Sequence, residues 1–475
     1  MDSDLPLRKH PGFQGRIGVA RQDITPPVGI YCRNWGAAAH DAAAGIHRRL
    51  TLTAMTVQTG PDATPLVLID ADLGWWHSID AEVRFRTQIL DELQLPAERL
   101  MFCLSHTHSA PPLCSDPDPK WEGGHLLPEY LCQVRSAAVS AVRQALQAAQ
   151  DARLEWHSGQ CSLAANRDLP EPGGRRVVCG FNPAAASAET TVMAGRVTSA
   201  SGQMLAVIVH YACHPTTLAW QNHLISPDFV GSMRETVEQS MDQAPCLFLQ
   251  GASGELAPRC QYVGDPKIAD RAGSQLGYSV LAVLMEMNPP GTCLAYTGVV
   301  ESGAPLAMWQ HRSAPSLSTL LSAECIHVEL PLKAWPSAAE LQVQRAACED
   351  RTLQERLRRQ ENIRRALGDG ATYSLPLWVW RLGDTVVTGS MAEAYSWIQQ
   401  VLRNEFPELV VLFMNLVNGS VGYLAPAELY DENIYQVWQT PFAATSLEHL
   451  AEICRRTIRD SETVSSYVPN SRHHA

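Results

Sequence analysis

The sequence predicts an α/β fold: a mixed β-sheet core flanked by helices, in one large catalytic domain. Three observations predict it. Short β-branched runs alternate with helical stretches through the first half of the chain, the rhythm of strands joined by crossover helices. The composition is 45% hydrophobic and 18% charged with 12 Trp, which describes a chain able to bury a sizeable core. Neither an internal repeat nor a Pro- or Ser-rich linker divides its 475 residues, so one domain over 16–460 is expected, with flexible termini at 1–15 and 461–475.

Taken in order, "LTLTAMTVQT" (50–59), "TPLVLIDADL" (64–73) and "RLMFCLSH" (99–106) read as strands. Between the last two, "SIDAEVRFRTQILDELQL" has helical spacing with Ser78 as its N-cap. A long helix over 127–152 follows, then the strand "ARLEWHSGQC" and a loop over 164–183. "TTVMAGRVTS" and "QMLAVIVHYAC" are strands joined by an Ala-Ser-Gly turn. Helix 228–241, strand "CLFLQG" and a helix over 266–287 continue the alternation. The stretch 336–368 is a charged helix or helical pair whose charges are expected to coat a solvated face. "LPLWVWRLGDTVVTG" is a hairpin turning at Gly383-Asp384, followed by helix 391–404, strand 409–417 and helix 446–460. Loops at 114–127, 168–182 and 303–318 are expected to wall the site.

Charge excludes one class of partner. The chain carries 49 Asp plus Glu against 37 Lys plus Arg and has no basic run, so no nucleic-acid footprint is expected. The N-terminus "MDSDLPLRKHPGFQG" lacks the apolar segment of a secretory signal, and no window is apolar for long enough to span a membrane. The 13 cysteines never fall as CxxC, which suits free thiols, and a cytoplasmic location is expected. "NGS" at 418–420 matches a glycosylation sequon but reads as a turn.

The chemistry concentrates where apolar runs expire in histidine. In "LSHTHS" a strand's alternation would put His106 and His108 on one face, as metal ligands, as an acid–base pair or as ordinary hydrogen-bonded histidines. "VIVHYACHPTTL" ends likewise in His210 and His214. Three protein ligands plus a water is the catalytic zinc arrangement. HExxH, the P-loop and GxGxxG are missing. "GASGE" lacks the GxSxG spacing of a nucleophile elbow, Cys213 reads as a buried thiol, and Asp70 and Asp72 either line the site or support it.

"GVARQDITPPVGI", "LSHTHSAPP", "NRDLP", "HYACHPTTL", "LFLQGASGELAPR" and "NGSVGYLAPAELYDENIYQV", in that order, resemble the neutral/alkaline ceramidase N-terminal domain family of zinc-dependent amidases. The resemblance implies one Zn2+ per chain, held by His106, His214, Glu393 and Tyr423. It also implies His108 at the substrate carbonyl, with Arg167 and Tyr435 as further site residues. Where family members carry a serine, this chain has Ala257, so a mechanism needing that hydroxyl is closed. Glu255 is then a general base, an amine anchor, or a structural or solvent-facing carboxylate, and Ser253 a substitute hydroxyl at the substrate.

Secreted members of the family carry a signal peptide and a C-terminal β-sandwich, and neither is read here. The expected substrate is therefore a small soluble amide rather than a ceramide in a bilayer, cleaved by metal-activated water. Arg167 would suit a substrate carboxylate. No membrane partner is expected, and assembly as a homo-oligomer is left open. Two alternatives stand beside the amidase: an esterase, lactonase or cyclic-amide hydrolase on the same zinc, and a non-catalytic binding protein descended from such an enzyme. Metal content and a substrate screen separate them.

Overall fold

The strands of the main sheet pair in the order Cys246–Gln250, Met204–Tyr211, Thr191–Ser199, Gln150–Gln160, Gly12–Asp23, Thr51–Gln58, Leu66–Ala71, Leu100–Leu104. The pair at each edge is parallel and the inner pairs are antiparallel, so the sheet is mixed. This computed structural model describes residue 7 and residues 9–172, 174, 176–182, 188–432 and 434–466.

Strands with both faces buried lose the polar alternation of a half-exposed sheet, which explains the continuous apolar runs. Val207 and Val209 face the helices Phe229–Ser240 and Pro266–Glu286, packing with Phe229, Met233 and Leu276. Ile208, between them in sequence, points into the opposite core. Phe102 and Ile69 likewise meet Phe85, Ile89 and Val139 of the helices Ile79–Leu93 and Leu127–Ala148, while Met101 and Leu68 point the other way. Ser78 caps the first of these helices as expected, accepting from Ala81 N.

A second sheet fills that opposite core. Its strands pair in the order Leu321–Pro331, Thr372–Leu382, Thr385–Ser390, Val410–Met414. Trp380, Leu382, Val387 and Leu412 meet Leu68, Trp156, Ile208 and Leu249 of the main sheet. Each such side chain contributes about 1.5–3 kcal/mol on burial. The hairpin turns at Gly383, whose φ of +58° and approach to Gly12 O leave no room for a side chain.

One segment of this second sheet binds both edges of the first. Asn415 N donates to Gln250 O at 3.0 Å, and Asn418 N to Phe102 O at 3.0 Å. The Asn418 amide donates to Leu100 O at 2.8 Å and accepts from Phe102 N at 2.8 Å. The sequon asparagine is thus a buried clamp on the strand that leads to His106, and not a surface acceptor.

Four expectations change. The helix expected over 391–404 begins only at Trp397, because Glu393–Ala394 pairs in parallel with Tyr423–Leu424. The expected loop 303–318 contains the strand Pro305–Ser313, which pairs with Thr292–Glu301, is exposed throughout and lies away from the site. The long inner strand Gly12–Asp23 escaped sequence reading, since its glycines and arginines break any alternation. Within the expected termini, residues 12–15 already pair with 152–155, and the last helix runs Ser446–Ser466; residues 1–6, 8 and 467–475 lie outside the described residues.

Candidate active site

The residues of the site follow the carboxyl ends of strands that run parallel to a neighbour, where α/β sheets open toward ligands. Strand Leu100–Leu104 stops before His106, whose φ is +70°. A non-glycine residue held there costs roughly 1–3 kcal/mol and persists only where its surroundings demand it. His106 and His108 therefore do not share a strand face, as alternation suggested. A turn brings their rings to 4.9 Å instead. His214 lies just past Met204–Tyr211, and Glu393 just past Thr385–Ser390.

Hydrogen bonding sets what these side chains present. His106 Nδ1 lies 3.1 Å from Gly74 O, and His214 Nδ1 lies 3.0 Å from Leu256 O. A carbonyl only accepts, so each Nδ1 carries the proton and each Nε2 exposes a lone pair. Both lone pairs face Glu393 Oε2, at 3.3 Å and 2.8 Å. Burial, reinforced by the Arg167 cation, holds His214 down to about 3, so it is neutral at pH 7. Burial alone would raise Glu393, but positive charge at the His106 and His214 positions outweighs it and holds the carboxyl well below the usual range; with the imidazoles neutral, that charge is what a bound cation supplies. One ligand-capable atom from each of the three residues converges there, all within 4.8 Å of one another. Such a set can hold a metal ion, and nitrogen and carboxylate donors suit zinc among others.

Other predicted residues gather round. Tyr423 is buried beside the triad; its hydroxyl accepts from Arg167 Nη2 at 3.2 Å. The same Nη2 donates to Gly254 O at 2.8 Å and lies 3.3 Å from His214 Nε2. Gly254 has to be glycine, because a Cβ would stand 2.9 Å from Glu393 O and 2.7 Å from the Tyr395 ring. His108 is half-buried between Trp35 and Trp75, at ring distances of 5.0 and 4.7 Å, and neither of its nitrogens has a hydrogen-bond partner among the described residues. Tyr435 stacks edge-on to Tyr423 at 5.6 Å and lines the cavity.

The structure does not bring Glu255, Ser253 or Ala257 to the cavity. Both Glu255 oxygens accept from Ser396 N, at 3.1 and 3.0 Å, and from its hydroxyl, so the carboxylate anchors the start of helix Trp397–Glu405. Burial raises this carboxyl to about 7. The Ser253 hydroxyl accepts from Gln250 at 2.6 Å, and Ala257 is paired with Ala165 in a short buried ladder. His210 is structural: its Nε2 meets Phe413 O at 2.9 Å and its Nδ1 meets Arg403 at 3.2 Å. Burial pushes the Cys213 thiol well above its ordinary value.

Sequence reasoning missed the roof. Helix Arg351–Leu367, expected to expose its charges, closes over the triad. Glu355 pairs with Arg358 and Arg359, and Arg359 Nη2 also donates to Asn34 O at 2.9 Å. Arg359 lies over Trp75 at 5.2 Å, Arg358 over Trp121 at 4.6 Å and Arg356 over Trp438 at 3.7 Å. The alternation of Arg with Glu four residues earlier reads identically on a solvated helix, so no local signal distinguished them. Beneath this roof lie two joined cavities. One, of about 90 Å³, holds His106 and Glu393 with Trp75, Trp76 and Ile363; the other, of about 350 Å³, holds Arg167 with Trp35, Trp220 and Tyr262. His108, Arg359, Tyr423 and Tyr435 line both.

Comparison with known proteins agrees with this arrangement. The family described as "Neutral/alkaline non-lysosomal ceramidase, N-terminal" matches residues 16–260, a span that includes His106, His108, Arg167 and His214. No curated protein matches the sequence. The fold is that of a structure described as neutral ceramidase from Pseudomonas aeruginosa, at 16% identity and a TM-score of 0.64, covering 93% of this chain and 73% of that one. A structure described as ceramidase complexed with C2 superposes with a TM-score of 0.65 at 15% identity, covering 98% of this chain and 77% of its own. No helix among the described residues is long and apolar enough to cross a membrane.

Proposed function

Because the chain belongs to the neutral/alkaline non-lysosomal ceramidase family, whose name implies hydrolysis of a carbon–nitrogen bond other than a peptide bond, we propose that it is a zinc-dependent hydrolase of a small amide. One observation carries the metal: two imidazole lone pairs and a carboxylate oxygen face each other in a buried site, an arrangement that a cation relieves. Tyr423 is the fourth candidate ligand. Zinc, when bound, lowers the pKa of a coordinated water to about 7 and polarises a carbonyl.

The protein's own residues do the rest. The carbonyls of Gly74 and Leu256 fix the His106 and His214 tautomers, the outer hydrogen bonds that metal-holding histidines require. His108, with no partner for either nitrogen among the described residues, has an N–H to donate to the substrate oxygen as it gains charge. The Tyr435 hydroxyl is the second donor of this kind. Arg167 holds Tyr423 and the 254 carbonyl in place, so we assign it a positioning role rather than the carboxylate contact expected from sequence. No general base is assigned to Glu255, whose oxygens are spent on Ser396.

The test is metal analysis of the purified full chain together with a screen of N-acyl amino acids, short peptides and ceramides. We expect about one zinc per chain and turnover of at least one amide that stops on chelation and returns with zinc. Metal-free protein that cleaves amides regardless of chelator would overturn the reading.

A further inference from the structure

We propose that Arg356 binds a carboxylate of the substrate, so that the amide this site takes is an anionic one. The inference rests on the hydrolase reading above and adds a substrate class to it. Arg356 stands on the wall of the larger cavity, exposed, with its guanidinium 3.7 Å from the centre of the Trp438 ring. That stacking sets the plane of the fork and leaves its edge free for two parallel hydrogen bonds.

The other cations nearby are already engaged. Glu355 takes Arg358 at 2.7 Å and Arg359 at 3.1 Å, and Arg167 is held by Gly254 O and Tyr423. Among the described residues Arg356 pairs with no carboxylate and donates to no side chain. Arg167, Arg356 and Arg359 line this cavity against Glu355 alone, in a chain whose formal net charge is −12. Trp35, Trp220 and Tyr262 complete its walls. Across His108 and Tyr435 the smaller cavity, with Trp76, Ile79 and Ile363, offers an apolar surface of limited size. A substrate with an amide at the junction, a short apolar tail on one side and a carboxylate on the other matches both.

The carboxylate can sit on either half of the amide, and two pairs of probes separate the cases: N-hexanoylglycine against N-hexanoylglycinamide, and N-hexylsuccinamic acid against its primary amide. Binding to the full chain is read by tryptophan fluorescence, with the melting temperature of each variant as a folding control. We expect at least one carboxylate to bind roughly 10-fold or more tightly than its neutral partner. Arg356→Gln should abolish that preference and Arg356→Lys should retain part of it. The proposal is overturned by equal binding within both pairs, by no binding of any probe, or by a preference that survives Arg356→Gln. Because the assay reads binding, loss of the amidase reading would show separately, as absence of turnover by zinc-loaded wild type.

Discussion

Two buried charge clusters lie at the main sheet, and they are opposite in kind. At the first, Arg234 reaches Asp70 at 2.6 Å and Asp72 at 2.5 Å. Phe248 N and Thr51 N donate to the same two carboxylates at 2.8 Å each, while Asp70 Oδ1 has no hydrogen-bond partner among the described residues. One guanidinium bridges both carboxylates, so the cluster holds its own counter-charge and ties helix Phe229–Ser240 to the sheet. At the second, His106, His214 and Glu393 turn lone pairs toward one another, and His106 Nε2 has no hydrogen bond among the described residues. Both clusters are largely shielded from solvent, but only the first contains its counter-charge. A buried polar cluster that lacks its counter-charge is incomplete as a piece of structure, and that incompleteness marks a site.

The contrast can be broken by substitution. His214→Ala should abolish turnover and reduce bound zinc from about one per chain to none, with a melting temperature close to wild type; plasma emission and thermal unfolding report the two. A variant that keeps its metal would erase the distinction between the clusters. Arg234→Leu should do the reverse. It strands Asp70 and Asp72 in the core, a loss of about 3–5 kcal/mol in urea unfolding, while the folded fraction still binds zinc.

Asn418→Ala sharpens the comparison further, because it touches only the support of one ligand. Leaving Leu100 O and Phe102 N without the amide should cost roughly 2 kcal/mol by denaturant titration. Smallest is a pH effect on the roof. Burial would raise Glu355, but Arg359 and Arg358 outweigh it and lower the carboxyl from 4.5 to about 2. Its contribution to stability is fully present above pH 4.5 and is lost as pH falls toward 2. Glu355→Gln should flatten the acid limb of a stability profile; an unchanged limb would dismiss the ion pair as a support of the roof.

Legibility in the sequence tracked the range of the interactions involved. Apolar runs ending in His106 and His214 were visible because a strand buried on both faces must be written in consecutive residues. Glu393 and Tyr423 needed the family resemblance, since neither stands in a pattern that physics alone singles out. Asp70 and Asp72 were undecidable because their partner Arg234 stands 162 residues or more away. Arg356 and Arg359 were assigned to solvent, because the spacing of charges along a helix is the same whether water or a cavity lies beyond it.

What the sequence determined by itself was the alternation of elements, the mixed α/β core and the chemistry available at the strand ends. Those follow from propensity and periodicity, which act between neighbours. Only the tertiary structure decided which titratable groups were paired and which were left facing a cavity. It separated Glu255, spent on a helix start, from Glu393, aimed at two histidines, although both are carboxylates largely withdrawn from solvent. Pairing is a property of atoms brought together from distant parts of the chain, and no local pattern encodes it.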